Sequence, residues 1–269
     1  MTRKTLAALA CLLLAPLAQA QQDFSKVEIK TTKLGDTAYM MEGSGGNLGL
    51  SIGDDAVFLI DDQFAPLSEK ISAAIAKLTA KPVKFILNTH WHYDHTGGNE
   101  NFGRSGSVIV AHENVRKRMS SEQLIEFLRT TVPASPGIAL PMVTFAASVN
   151  FHLNGEEIRA IHVPRAHTDG DAIVHFVKGD VVHRGDTYFN GFYPFIDTSS
   201  GGTIDGVVAY RDMLATVSAR IRKMVADGRK LEDITASDAT ADFDEKWGKG
   251  FIPAAKFREM VAMNIIKNR

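Results

Sequence analysis

His90, His92 and His95 fall within six residues of one another, around Asp94, in the segment "NTHWHYDHTGG" at 88–98. The chain has nine histidines in all, so a third of them sit in this one stretch. Stacked imidazoles add little to a core, whereas a metal ion needs several neutral nitrogen donors close together. In an extended segment, side chains two positions apart face the same way, so His90 and His92 can converge on one ion. Asp94 and His95 lie where "DHTGG" must turn, so their side chains can point towards a second ion. Gly97 and Gly98 permit a close backbone turn there. Imidazole and carboxylate donors without a thiolate suit zinc, and iron or manganese also fit.

Further donors must come from distant segments. "VPRAHTDGDAIVHF" supplies His167 at a strand-to-loop junction, and "VVHRGDTYF" supplies Asp186 at the end of an apolar strand. Each alone reads as an ordinary turn residue. Beside the cluster they become candidate third and bridging ligands. His112, His152, His162, His175 and His183 lie in strands or at helix starts and read as packed or surface residues, with His183 notable for preceding Asp186 closely.

The elements that position these residues follow from periodicity. From Val27 the chain reads as short strands ("VEIKTTKL", "TAYMMEG", "NLGLSIG", "AVFLIDD") separated by Gly and Asp turns. Phe64, Leu67, Ile71, Ile75 and Leu78 recur at helical spacing, which predicts a helix over 64–78. "VKFILNT" is a buried-type strand that delivers the histidine cluster at its C-terminal end. "SVIVA" is another strand, followed by a polar helix over Glu113–Leu128 and a proline-containing irregular loop over Thr131–Phe145. "VNFHL", "EEIRAIHVP" and "AIVHFVKGDVVHRGD" are strands again. "TIDGVVAYRDMLATVSARIRKMVADG" reads as one continuous helix, and the tail is helical near Ala254–Ile266. Two halves, each of sheet plus helix, in a single domain over 21–269 are expected.

The first twenty residues, "MTRKTLAALACLLLAPLAQA", have a basic start, an apolar run and an A-x-A end. This is the pattern of a cleaved secretory signal, so export to the periplasm with a mature start at Gln21 is expected. A lipoprotein signal ending at Cys11 is a weaker alternative. Cleavage removes the only cysteine, so neither disulfide nor thiolate ligand remains. It also removes Arg3 and Lys4, which leaves 28 basic against 31 acidic residues, a net charge of −3. With no long basic run, nucleic acid is disfavoured as the partner. No later apolar stretch is long enough to span a membrane. A small-molecule substrate is the expected partner.

H-x-H-x-D-H at 90–95, followed by "AHTDGD" and "GDTYF", resembles the metallo-β-lactamase superfamily over nearly the whole mature chain. The resemblance implies an αββα sandwich of the α/β class with the metal site at one edge of its two sheets. It implies that His90, His92 and His167 hold a first zinc, that Asp94 and His95 belong to a second, and that Asp186 bridges. "NGFYPFIDTSSGGTIDG" and "WGKGFI" look like an exported branch of the family.

The family pattern closes with one more histidine after a late strand, yet this chain has none after His183. The second half therefore looks shortened by about one β–α unit. The expectation is one tight zinc and one weak zinc, unless water, Asp205 or a neighbouring chain substitutes for the lost donor. The expected activity is hydrolysis: attack of zinc-activated hydroxide on a small amide, ester, lactone or thioester, with a β-lactam the first candidate and Asp94 handling the proton. A phosphoric ester substrate and a non-catalytic zinc-binding relic are the alternatives. Phe192, Tyr193, Phe195 and the Pro133–Pro141 loop are candidates for an apolar wall over the substrate.

Overall fold

The computed structural model describes residues 23–189, 193–248 and 253–267. The expected signal at 1–20, Phe192 and residues 249–252 lie outside the described residues.

Six strands and a short edge strand form the first sheet: β1 (Lys30–Lys33), β2 (Ala38–Glu42), β3 (Leu48–Ile52), β4 (Val57–Ile60), β5 (Val83–Asn88), β6 (Val108–His112) and, at the far edge, β9 (Val143–Phe145). β1 to β4 pair antiparallel, and β4, β5, β6 and β9 run parallel. β4, "VFLI", is buried at every position. That is the expected state of a central strand covered on both faces, and it explains the continuous apolar run.

Between β6 and β9 lies a small hairpin, β7 (Gln123–Ile125) with β8 (Thr130–Val132). The second sheet is antiparallel, in the order β10 (Ser148–Leu153), β11 (Glu156–His162), β12 (Ala172–Phe176) and β13 (Val181–His183).

The two sheets face each other through Phe58, Ile60, Leu87 and Val110 on one side and Ile158, Ala160, Val174 and Phe176 on the other. On the outer face of the first sheet, Leu50, Leu59 and Ile86 meet Ile71 and Ile75 of α1 (Ser68–Ala76) and Phe102 of α3 (Asn99–Arg104). The single turn α2 (Tyr93–Thr96) lies between β5 and α3, and α4 (Glu113–Met119) follows β6. The C-terminal α5 (Ile204–Ala226), α6 (Leu231–Thr235), α7 (Ala241–Trp247) and α8 (Ala254–Lys267) enclose a core of their own around Val217, Ile221, Ile234 and Ala262. Val207 near the start of α5 packs on Val163, Ala166 and Ile173 beside the second sheet. Sheets between helices match the expected sandwich, and α5 is the continuous helix its spacing predicts.

Three local expectations need correction. The helix expected over 64–78 is a 3-10 turn, Ala65–Leu67, followed by α1. Phe64 is still extended (φ −85°, ψ 145°), and Pro66 takes a first-turn position, where its missing N–H costs no hydrogen bond. The helix expected over Glu113–Leu128 stops at Met119, and 123–132 form the β7–β8 hairpin instead. Arg129 takes a positive φ of 51° in its turn, and the Glu126 N–H donates to Ser199 Oγ (3.2 Å), so tertiary contact overrides the helical pattern. The loop expected over Thr131–Phe145 is flanked by strands, because β9 finds a parallel partner in β6.

Candidate metal centre

Parallel strands deliver their C-terminal ends to a common rim, where the chain leaves regular structure and side chains are free to converge. β4 ends just before Asp61, β5 ends just before Thr89–His92, and the loops after β11 and β13 carry His167 and Asp186 to the same rim. His90, His92 and His167 are all buried there.

The hydrogen bonds define how each ring is turned. His90 Nδ1 faces Thr89 Oγ1 (3.1 Å), whose own proton goes to Asp61 Oδ2 (2.8 Å). His167 Nδ1–H donates to the Phe195 carbonyl (2.7 Å). His92 Nε2–H donates to Asp197 Oδ2 (3.0 Å). Each ring thus spends its one proton on an outward acceptor. The three remaining nitrogens then face one another as bare lone pairs: His92 Nδ1 lies 3.2 Å from His90 Nε2 and 2.8 Å from His167 Nε2.

Three lone pairs this close repel unless a cation sits among them, so the donor set fits a metal ion. Burial and the neighbouring imidazoles hold His90 well below the usual histidine range and His167 at about 4, so both are neutral ligands at pH 7.

A second grouping comprises His90, His95 and Asp186. Within α2 the backbone turns back, bringing the His95 ring centroid to 4.1 Å from that of His90. His95 Nδ1 is held by Asp61 Oδ2 (2.8 Å). Its Nε2 is buried without a hydrogen-bond partner and faces Asp186 Oδ1 (3.2 Å) and Asp94 Oδ2 (3.6 Å). Burial lowers the His95 pKa, but Asp61 and Asp186 outweigh it and raise it well above the ordinary value. Asp186 presents its other oxygen to His167 Nε2 (3.7 Å), so the carboxylate lies between the two groupings. Burial opposes its ionisation, yet the close approach of His95 and the charges of His167 and His92 bring it to about 2.

All six sequence-predicted residues reach this rim. Asp94 is the outlier: its side chain is 33% exposed, and it belongs to neither three-residue grouping found among the described residues. Asp205, a conceivable substitute ligand, sits exposed in the first turn of α5 and is likewise outside both. His183 has both nitrogens engaged, Nε2 with the Asn47 carbonyl (2.9 Å) and Nδ1 with the Gly185 N–H (3.4 Å), so it reads as a brace between the sheets. Of the expected apolar wall, Phe195 does reach the site, its ring 6.0 Å from His92 and 5.5 Å from His167, whereas Tyr193 is almost wholly exposed.

Sequence reasoning missed two carboxylates. Asp61 follows the apolar strand "AVFLI", the same signal that singled out Asp186. It sits at a positive φ of 59° and accepts from Thr89 N, Thr89 Oγ1 and His95 Nδ1 at 2.7–2.8 Å. Asp197 had no such signal. Its Oδ1 accepts from Ser200 N (3.2 Å), and the hydroxyls of Ser199 and Ser200 also donate to it. Burial resists its charge, but His92, Ser199 and Ser200 hold its pKa well below the carboxylate range. Gly46 was missed too: a Cβ there would lie 2.3 Å from His95 Cε1, so only glycine lets the 43–46 loop close over that ring.

Replacing Asp61 by Ala strands three buried donors, each worth about 1–3 kcal/mol when unsatisfied. With partial relaxation, a loss of about 2–4 kcal/mol is expected, which lowers Tm by roughly 5–15 °C for a chain this size. Calorimetry on the metal-free variant checks this, and an unchanged Tm would mean the network is not structural.

The comparisons with known proteins agree with this geometry. A family model described as the metallo-beta-lactamase superfamily matches residues 44–242. Among curated proteins, the chain is 27% identical over 144 residues to the 2,4-dinitroanisole O-demethylase subunit alpha of Nocardioides sp., covering 52% of this chain and 40% of that one. It is 25% identical over 149 residues to the hydroxyacylglutathione hydrolase of Pelagibacter ubique, covering 51% of this chain and 52% of that one. The chain therefore spans about half, or less, of the length of these relatives. Among solved structures, the native FEZ-1 metallo-β-lactamase of Legionella gormanii aligns with a TM-score of 0.56 at 15% identity, over 90% of this chain and 95% of that one. The subclass B3 metallo-β-lactamase BJP-1 of Bradyrhizobium japonicum aligns at 0.54 and 16%, over 90% and 92%. At such identities these structures establish the shared fold.

Proposed function

This chain belongs to the metallo-β-lactamase superfamily, and on that premise we propose that it is a zinc-dependent hydrolase of carbonyl substrates: esters, thioesters, lactones or amides. The observation that carries the reading is the set of three inward lone pairs on His90, His92 and His167, each fixed by an outward hydrogen bond. The names of the curated relatives include a hydrolase, which supports the same class.

His90, His92 and His167 would hold the tight ion, and His95 with Asp186 and Asp94 would hold the weaker one. When bound, such an ion supplies a Lewis acid and lowers the pKa of water to about 7. The chain's own residues do the rest. Asp94, partly exposed at the mouth of the site, accepts a proton from the attacking water. The water oxygen bonds to the carbonyl carbon, the bond to the leaving oxygen, sulfur or nitrogen breaks, and Asp94 returns the proton to that leaving atom. Asp186 and Asp197 keep the imidazoles oriented throughout. The test is hydrolysis of an aryl ester and of a chromogenic β-lactam by zinc-loaded protein. Turnover that a chelator stops and zinc restores supports the reading. Full zinc with no turnover of any acyl substrate would favour the non-catalytic alternative.

The geometry also sets the expected stoichiometry. His90 belongs to both groupings, and its Nδ1 is already engaged with Thr89, so one ion at a time can use its free nitrogen. About one zinc per chain is expected to survive extensive dialysis at pH 8. The second ion must displace a proton from His95, whose pKa is raised, whereas His90 and His167 are already deprotonated. Lowering the pH from 8 to 6 should therefore weaken the second ion more than the first. Elemental analysis and calorimetric zinc titration at both pH values check this. Two ions retained at pH 6 would show that another donor completes the second site.

A further inference from the structure

The sandwich is open beside the histidine cluster. A groove of about 800 Å³ lies between β2–β3 of the first sheet and β13 of the second, and Asp94, His95 and Asp186 form part of its wall. β13 has only three residues and, among the described residues, pairs on one edge alone, with β12. Among the described residues, no further strand closes the seam there. Much of the rest of the wall is apolar or aromatic: Leu34, Tyr39, Met40, Val182, Tyr188 and Phe189. Leu34, Val182 and Tyr188 are 44%, 51% and 57% exposed, an unusual concentration of large uncovered side chains in one concavity.

Beyond Asp94, Asp186 and the histidines, the one charged residue on this wall among the described residues is Arg184, whose guanidinium lies 5.0 Å over the Tyr188 ring. A concave, mostly apolar groove of this volume, with convergent polar groups at one place on its wall, is the form of a small-molecule site.

We propose that this groove receives an uncharged apolar arm of the substrate, so that the preferred substrates are esters, thioesters or lactones bearing a long alkyl or aryl-alkyl substituent. The proposal rests on the hydrolase reading for the chemistry but on the groove alone for the specificity. An arm seated against Tyr39, Tyr188 and Val182 keeps the carbonyl beside Asp94 and the histidines. A carboxylated arm would meet Asp94 and Asp186 and forfeit its own hydration.

The test compares 4-nitrophenyl acetate with 4-nitrophenyl octanoate, which share a leaving group, on the zinc-loaded protein. A fully buried methylene corresponds to about fourfold in binding, so half-burial of the six extra methylenes gives roughly 60-fold in kcat/KM. A parallel arm titrates the unreactive ketone 2-nonanone into the metal-free protein and follows the Tyr39 and Tyr188 ring signals by NMR. Val182→Asp, at an exposed strand position with folding checked by circular dichroism, should bring the octanoate-to-acetate ratio towards one and weaken the ketone by tenfold or more. If no ester is turned over but the ketone binds and the variant weakens it, the groove assignment holds and the hydrolase reading fails. If acetate and octanoate react alike and the ketone moves neither tyrosine, the groove assignment is wrong. A preference for octanoate that survives Val182→Asp would also overturn it, since the arm would then lie elsewhere.

Discussion

Replacing His92 by Ala is expected to remove both tight metal and hydrolytic activity together. His92 Nδ1 is the central donor, within 3.2 Å of the inward nitrogens of both His90 and His167. Its loss leaves two imidazoles and opens the Asp197 carboxylate to a cavity. Metal affinity should fall by more than the roughly 10–100-fold that follows loss of an outer hydrogen-bonding partner. Asp197→Ala provides the graded comparison. That variant keeps all three imidazoles but frees the His92 ring to rotate and to exchange tautomers, so its affinity should fall within the 10–100-fold range and its activity should return at higher zinc. Zinc content after dialysis, with activity measured across a zinc titration, distinguishes the two variants. If Asp197→Ala lost metal as completely as His92→Ala, Asp197 would have to be a ligand, contrary to its position on the outer side of the ring.

Asp94→Asn is expected to separate metal retention from catalysis. Asp94 is near the ligands in sequence, but its carboxylate faces the mouth of the site, 3.6 Å from His95 Nε2. Asparagine keeps the shape and removes the charge and the proton-accepting lone pair. Tight zinc should persist while kcat drops by roughly 10²–10⁴-fold, the range for a lost general base. The measurement is kcat and KM on whichever substrate wild type turns over, alongside zinc per chain. Equal loss of zinc and rate would make Asp94 a structural ligand and end the case for its role in proton transfer.

The sequence alone determined the features that arise from local pattern. The 90–95 spacing places donors in one turn of chain, whatever the fold around it. The run "VFLI" declares a strand buried on both faces, and the apolar spacing in 204–226 declares one long helix, because burial of a face imprints its period on the residue types. The resemblance carried by His167 and Asp186 pointed to the right rim.

What only the tertiary structure decided is which groups meet across long chain separations. Asp61 reaches His95 because β4 lies beside β5, and Asp197 reaches His92 across 105 residues. No periodicity encodes either contact. The 113–128 segment shows the same limit from the other side: its spacing suited a helix, but a backbone contact to Ser199 and pairing within 123–132 were worth more than local propensity. The directions of the three imidazole lone pairs also belong to the fold, since each is set by an acceptor from Thr89, Asp197 or Phe195. Residue types and spacing specify that a chain can bind metal; the order of strands, which no local pattern carries, specifies which nitrogen of each ring is left free to do it.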